Sequence, residues 1–173
     1  REVLGAMLRL RGHSYNSTDD AELAAARRDA IAAKANLKSY ISAPVKGQLI
    51  AGDVWIAQLW SGDAEQARAE EPAIGFALPA EGSLIFGDAM AIPRGAPHPR
   101  GAHAFINYVL RPDVGAAISE ATGYGTPNQA AAARLPVPRP YPDAAELARL
   151  EYQRDLGAAT VQWDRVWTEV KAA

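Results

Sequence analysis

"GDVWIAQLWSGDAEQA", residues 52–67, decides the fold. Val54, Ile56 and the apolar run around them read as a buried strand over 53–60. "SGDAEQARAEE" then turns into a helix at Asp63. A strand that feeds a helix is the step from which α/β layers are built. The same stretch carries two indoles, Trp55 and Trp60, and a carboxylate, Asp63, just past the end of the strand.

Downstream, "AIGFALPAEG" (73–82) and "SLIFGDAMAIP" (83–93) read as two more strands, broken by Pro79, Gly82 and Pro93. Residues 98–123 hold a helix, a break at Arg111-Pro112 and a second helix that starts on Pro112. A turn and a short helix follow in "YGTPNQAAAARL", and "PVPRPYP" (136–142) is a rigid proline-rich surface link. From Asp143 onward the chain reads as helical, ending in an apolar stripe of Val161, Trp163, Val166, Trp167 and Val170 that suits core packing.

Upstream, Val3, Leu4, Met7, Leu8 and Leu10 recur at helical spacing until Gly12 stops them. Thr18 or Asp19 can cap a second helix that runs to about Ala35, and Asp19 with Glu22 has capping-box spacing. "LKSYIS" (37–42) fits a strand, and "PVKGQLIAG" (44–52) a loop entering a short helix or turn. Helices and strands interleave without internal repeats, so the expected class is α/β.

Composition narrows the chemistry. The chain has 173 residues, 49% of them hydrophobic, which suits one ordinary domain or two small lobes and not a disordered chain. No apolar run approaches the roughly 20 residues that cross a bilayer. The opening "REVLGAML" has a mid-domain character that suggests a fragment. There is no cysteine, so disulfides, thiolate nucleophiles and cysteine-based zinc sites are excluded. A net charge of -2 gives no basic face for nucleic acid. The negative charge is concentrated in residues 51–90, where Arg68 stands alone against Asp53, Asp63, Glu65, Glu70, Glu71, Glu81 and Asp88. His13, His98 and His103 have no metal spacing, and no nucleophile–base pair or phosphate loop is present. The reading is therefore not an enzyme, with no cofactor and no metal.

What remains is aromatics beside acids. Trp60 and Asp63 are joined by "SG", so one turn could present both. Phe86 and Asp88 alternate by two, which puts them on one face if the strand is regular. Asp88 lies between apolar runs, and a buried acid needs a partner. Two readings stand: a structural carboxylate bonded to backbone amides, or an amine ligand held by acid and aromatic face together. The second suits a linear diamine or polyamine.

The chain resembles the periplasmic spermidine/putrescine (polyamine) substrate-binding proteins of ABC importers. The resemblance is carried by "GHSYNSTDDAELAAA", "VWIAQLWSGDAEQA", "FALPAEGSLIFGDAMAIPRGAPHPRGAHAFINYVLRPDV" and "TGYGTPNQAA", and is most specific where "INYVLRPDV" precedes "GYGTPN". It implies an α/β, periplasmic-binding-protein-like (type II) lobe with a mixed sheet flanked by helices, in an incomplete two-lobe architecture equivalent to the C-terminal half of the family. Residues 1–90 would be the core of that lobe, 91–122 a helical segment crossing to the first lobe, and 123–173 the return. Carried over by position, the ligand-binding residues are Glu2, Trp60, Asp63, Phe86, Asp88, Tyr124 and Gln153. Asp63 matches the putrescine-preferring branch and Gln153 the spermidine-preferring one, so the choice of amine stays open. The implied partners are a polyamine, the membrane permease and the missing N-terminal lobe, with a homodimer or lobe exchange where that lobe is absent. The implied compartment is the periplasm. Other readings are a binder of a different cationic or small organic solute, and an interaction domain in which Trp60, Phe86 and Asp88 are core. A thiaminase I-like enzyme, similar in architecture, works through a cysteine that this chain lacks.

Overall fold

The computed structural model describes residues 1–138 and 141–173. In chain order the helices are α1 (Glu2–Leu10), α2 (Asp20–Ala33), α3 (Val45–Ile50), α4 (Ser61–Glu70), α5 (Pro99–Val109), α6 (Pro112–Thr122), α7 (Gln129–Ala132), α8 (Ala144–Leu147) and α9 (Thr160–Ala172). The strands are β1 (Ser83–Ile85), between α4 and α5, and β2 (Leu150–Tyr152), between α8 and α9. These elements form two compact units. Unit 1 comprises residues 1–40, 77–87 and 142–173, and unit 2 residues 41–76 and 88–141.

Unit 1 is built on the apolar spacing of its helices. Leu4 and Leu8 of α1, Leu23, Ala26 and Ala30 of α2, and Trp163, Val166 and Val170 of α9 form its buried core. Met7, Ile31, Tyr40, Leu156 and Trp167 pack around it. The buried indole of Trp163 keeps its polar edge satisfied by donating from Nε1 to the Ser17 carbonyl at 3.0 Å. α2 starts where its cap requires. Asp19 accepts from the amides of Ala21 and Glu22, both at 2.9 Å. The reciprocal half of the expected capping box is replaced: Glu22 takes Ser17 Oγ and His13 Nδ1, at 2.5 and 3.1 Å.

β1 and β2 pair in parallel, with Ser83 opposite Leu150, Leu84 opposite Glu151 and Ile85 opposite Tyr152. Arg9 of α1 ties β2 to the turn before β1: it donates to the Glu81 carbonyl and to Glu151 Oε1, each at 2.8 Å. Ser14 Oγ adds a 2.6 Å bond to the other Glu151 oxygen.

In unit 2, small residues line the helix contacts. Ala64 and Ala67 of α4, Ala116 and Ser119 of α6, and Ala131 of α7 are buried. Asn128 caps α7 through its side-chain oxygen and donates from Nδ2 to the Leu110 carbonyl at 3.0 Å, which ties α7 to the α5–α6 junction.

Several strand expectations are corrected. Among the described residues the sheet consists of β1 and β2 alone, so 37–42, 53–60 and 73–82 are not strands. Trp55 and Ile56 are 93% and 91% exposed, the opposite of a buried strand. Alternation marks a segment that can pair, but a strand exists only where a neighbour completes the ladder. The expected helix from Asp143 is interrupted by β2, whose three residues carry no run that periodicity can detect and are fixed by the bonds to Glu151. Within the α9 stripe, Val161 is exposed while Trp163, Val166 and Val170 are buried. Arg139 and Pro140 of the expected proline-rich link lie outside the described residues. Among the described residues, no helix is long and apolar enough to cross a membrane.

Candidate functional site

In unit 2 the site is built on the start of α4. Trp60 occupies the N-cap with extended backbone, and its indole is 54% exposed. Asp63 lies in the first helical turn, half-buried, where the positive end of the helix dipole favours a carboxylate. The sequence therefore sets an aromatic and an acid within one turn of each other at a helix N-terminus.

Tyr124 is brought to the same place by the end of α6. Gly123 terminates that helix at φ +78, a left-handed cap that only glycine adopts without strain. The turn is then braced from α4: Gln66 Nε2 donates to the Thr122 carbonyl at 2.8 Å, and Lys46 Nζ donates to Gln66 Oε1 at 2.6 Å. Ser119 Oγ donates to the Tyr124 carbonyl. The ring lies directly over Gly62, where a Cβ would stand 2.6 Å from Tyr124 Cζ and closer still to two other ring carbons. Burial, then the negative charges of Asp63 and Asp88, hold the phenol above its ordinary value of 10.0. Both carboxylates are thus within electrostatic reach of one half-buried phenol. Asp63, Asp88 and Tyr124 offer acceptor oxygens and negative potential, and Tyr124 and Trp60 offer aromatic faces, which is the environment an ammonium group needs.

Glu2, Phe86 and Gln153 belong to unit 1. Glu2 lies in the first turn of α1, with Oε2 3.5 Å from the Arg1 α-amino group. Phe86 and Gln153 are the residues immediately after the Ile85–Tyr152 pair, so both leave the carboxyl end of the parallel strands. Arg1 Nη1 donates to the Arg154 carbonyl at 2.8 Å, which holds the start of α1 beside the segment leaving β2.

The structure corrects the expectation of Asp88 as a buried acid within a strand. β1 ends at Ile85, and Asp88 is exposed. Phe86 and Asp88 therefore share no strand face, and they fall in different units. The sequence reading passed over Gly62, Gln66 and Lys46, which place Tyr124. The available signal was a glycine directly after the N-terminus of a helix, a position that local propensity does not favour. Among the described residues, no group of three His, Asp or Glu side chains could hold a metal ion.

The model of a family described as bacterial extracellular solute-binding protein matches residues 3–149. The spermidine/putrescine-binding periplasmic protein of Escherichia coli is 35% identical over 178 residues, covering 99% of this chain and 51% of the relative. The putrescine/cadaverine-binding protein of Pseudomonas aeruginosa is 34% identical over 186 residues, covering 99% and 52%. The chain spans about half the length of the curated relatives it matches. Among solved structures, the spermidine/putrescine ABC transporter substrate-binding protein PotD of Streptococcus pneumoniae superposes with a TM-score of 0.88 at 30% identity, over 99% of this chain and 55% of that one. The Tp0655 (TpPotD) lipoprotein of Treponema pallidum gives 0.83 at 30%, over 98% and 54%. The fold is that of a periplasmic-binding-protein-like α/β lobe.

Proposed function

This chain belongs to the bacterial extracellular solute-binding protein family, and from that premise we propose that it captures linear polyamines, putrescine or spermidine. One observation carries the reading: the Tyr124 ring lies over Gly62 in the first turn of α4, the turn that also carries Asp63 and, at its N-cap, the exposed Trp60. A charge-assisted hydrogen bond to an ammonium contributes about 1.5–3 kcal/mol. An indole or phenol face adds roughly 0.5–2 kcal/mol and also covers the methylene chain. Glu2, Phe86 and Gln153 are proposed as amine contacts in unit 1. The names of the relatives support the substrate class.

The mechanism is capture without bond making. The ammonium groups exchange water for carboxylate oxygens, and the alkyl chain lies against aromatic rings. In the whole protein a second, N-terminal lobe would close over the ligand, with residues 91–122 crossing to it, and the closed form would be read by an ABC permease in the periplasm. This half would bind more weakly than the whole, because part of the ordering cost is no longer offset. Homodimers or lobe exchange would follow where the first lobe is absent.

The test is a titration of putrescine, and separately spermidine, followed by tryptophan fluorescence, with Asp88→Ala as control. A saturable change that the substitution abolishes is the expected result. A saturable change of equal midpoint in the variant would remove Asp88 from the site, and binding of neither amine by this chain or, in the same titration, by the whole two-lobed protein would overturn the substrate class.

A further inference from the structure

We propose that Gly62 is a positioning residue: its bare backbone is the seat on which the Tyr124 ring rests, and it holds the phenol at the first turn of α4, the turn that carries Asp63. The inference rests on the amine-binding reading of that site and adds to it a determinant that makes no contact with the ligand. Three observations converge on the seat. A Cβ at Gly62 would stand 2.6 Å from Tyr124 Cζ, inside any real carbon–carbon contact, so the ring would have to leave. A Cβ at Gly123 would stand 2.7 Å from the Gly62 carbonyl oxygen, so backbone meets backbone at this point. The turn cannot follow the ring outward freely, because Gln66 holds the Thr122 carbonyl at 2.8 Å and is itself held by Lys46. Glycine is unfavourable inside a helix, so local structure gives no reason for it at the second residue of α4. The close approach does.

The consequence is for affinity: the seat keeps the phenol face at the first turn of α4, next to the residue that carries the Asp63 carboxylate, and a methyl group at position 62 displaces that face.

The experiment is a double-mutant cycle on the 173-residue chain with putrescine as probe. Gly62→Ala is expected to weaken putrescine roughly tenfold, a loss of the order of one aromatic–cation contact. In a Tyr124→Ala background the same substitution is expected to change affinity by less than about twofold, because the ring it displaces is gone. The unliganded protein gives a second readout. The Tyr124 contribution to the alkaline tyrosinate band, taken as the difference from Tyr124→Phe, is expected to move toward 10.0 in Gly62→Ala as the ring gains solvent. If Gly62→Ala does not fold, Gln66→Ala, which frees the Thr122 carbonyl, carries the same two measurements.

Equal losses in both backgrounds, or an unmoved Tyr124 titration, would overturn the proposal. If wild-type protein bound no putrescine while the Tyr124 titration still moved in Gly62→Ala, the seat would stand and the amine reading would fail.

Discussion

Asp63→Asn separates binding from stability at the start of α4. The substitution keeps shape and removes charge. If Asp63 holds an ammonium group, the loss is one charge-assisted hydrogen bond, about 1.5–3 kcal/mol. At about 1.4 kcal/mol per factor of ten, Kd for putrescine rises roughly 10- to 150-fold. The cost to the fold is smaller, because a first-turn carboxylate at a helix N-terminus typically contributes about 0.3–1 kcal/mol. That corresponds to a fall in Tm of no more than about 4 °C for a chain of this size. A third signal comes from Tyr124, which Asp63 holds up through its negative charge. Without that charge the phenol titrates closer to 10.0, and burial, the larger cause, keeps it above that value. Calorimetric titration, a thermal melt and an alkaline absorbance titration read the three quantities on one preparation. An unchanged Kd, with the Tyr124 titration shifted as expected, would place Asp63 beside the phenol but outside the amine site. A loss of binding that tracks a loss of fold would refute the separation altogether.

Leu8 is fully buried in the core of unit 1, and Leu8→Ala is expected to cost about 2–5 kcal/mol, read as a lower denaturant midpoint at constant slope. Asp19→Ala removes the acceptor for two first-turn amides of α2 and is expected to cost about 1 kcal/mol, with faster hydrogen exchange at Ala21 and Glu22. Tyr15, Tyr40 and Tyr124 are all held above 10.0 chiefly by burial. Above 10.0 the unfolded chain releases phenolic protons that the native chain keeps, so the native state binds more protons. The stability these groups contribute is therefore full below 10.0 and declines as pH rises through their folded values. Tyr15→Phe is expected to flatten that decline in urea melts taken across the window.

Helices were the legible part of the fold. Leu4 and Leu8, Leu23 and Ala26, and Trp163, Val166 and Val170 announce their buried faces by spacing, and Asp19 and Pro112 mark two helix starts. These signals are local, since each helix satisfies its own backbone. Strands were not legible in the same way. "DVWIAQLW" has the alternation of a buried strand, yet Ile56 is exposed, whereas the three residues of β2 pair because Arg9 and Ser14 fix Glu151 from elsewhere in the chain. The site divides similarly. Trp60 and Asp63 could be joined from sequence because one helix start holds both. Tyr124 was placed there only by resemblance, since the contact that seats it runs from Gly62 to residue 124. Asp88 was read as a strand residue and is an exposed one past the strand end, yet its charge still bears on Tyr124.

The central claim is that charge at both ends of a short alkyl chain is what this protein recognises. Calorimetric titration of the 173-residue chain with putrescine, against butane-1,4-diol of the same length and no charge, tests it most directly. The expected result is a saturable heat with putrescine that weakens as salt rises and is absent with the diol. Equal heats for the two, or none with the diamine at any concentration, would contradict it.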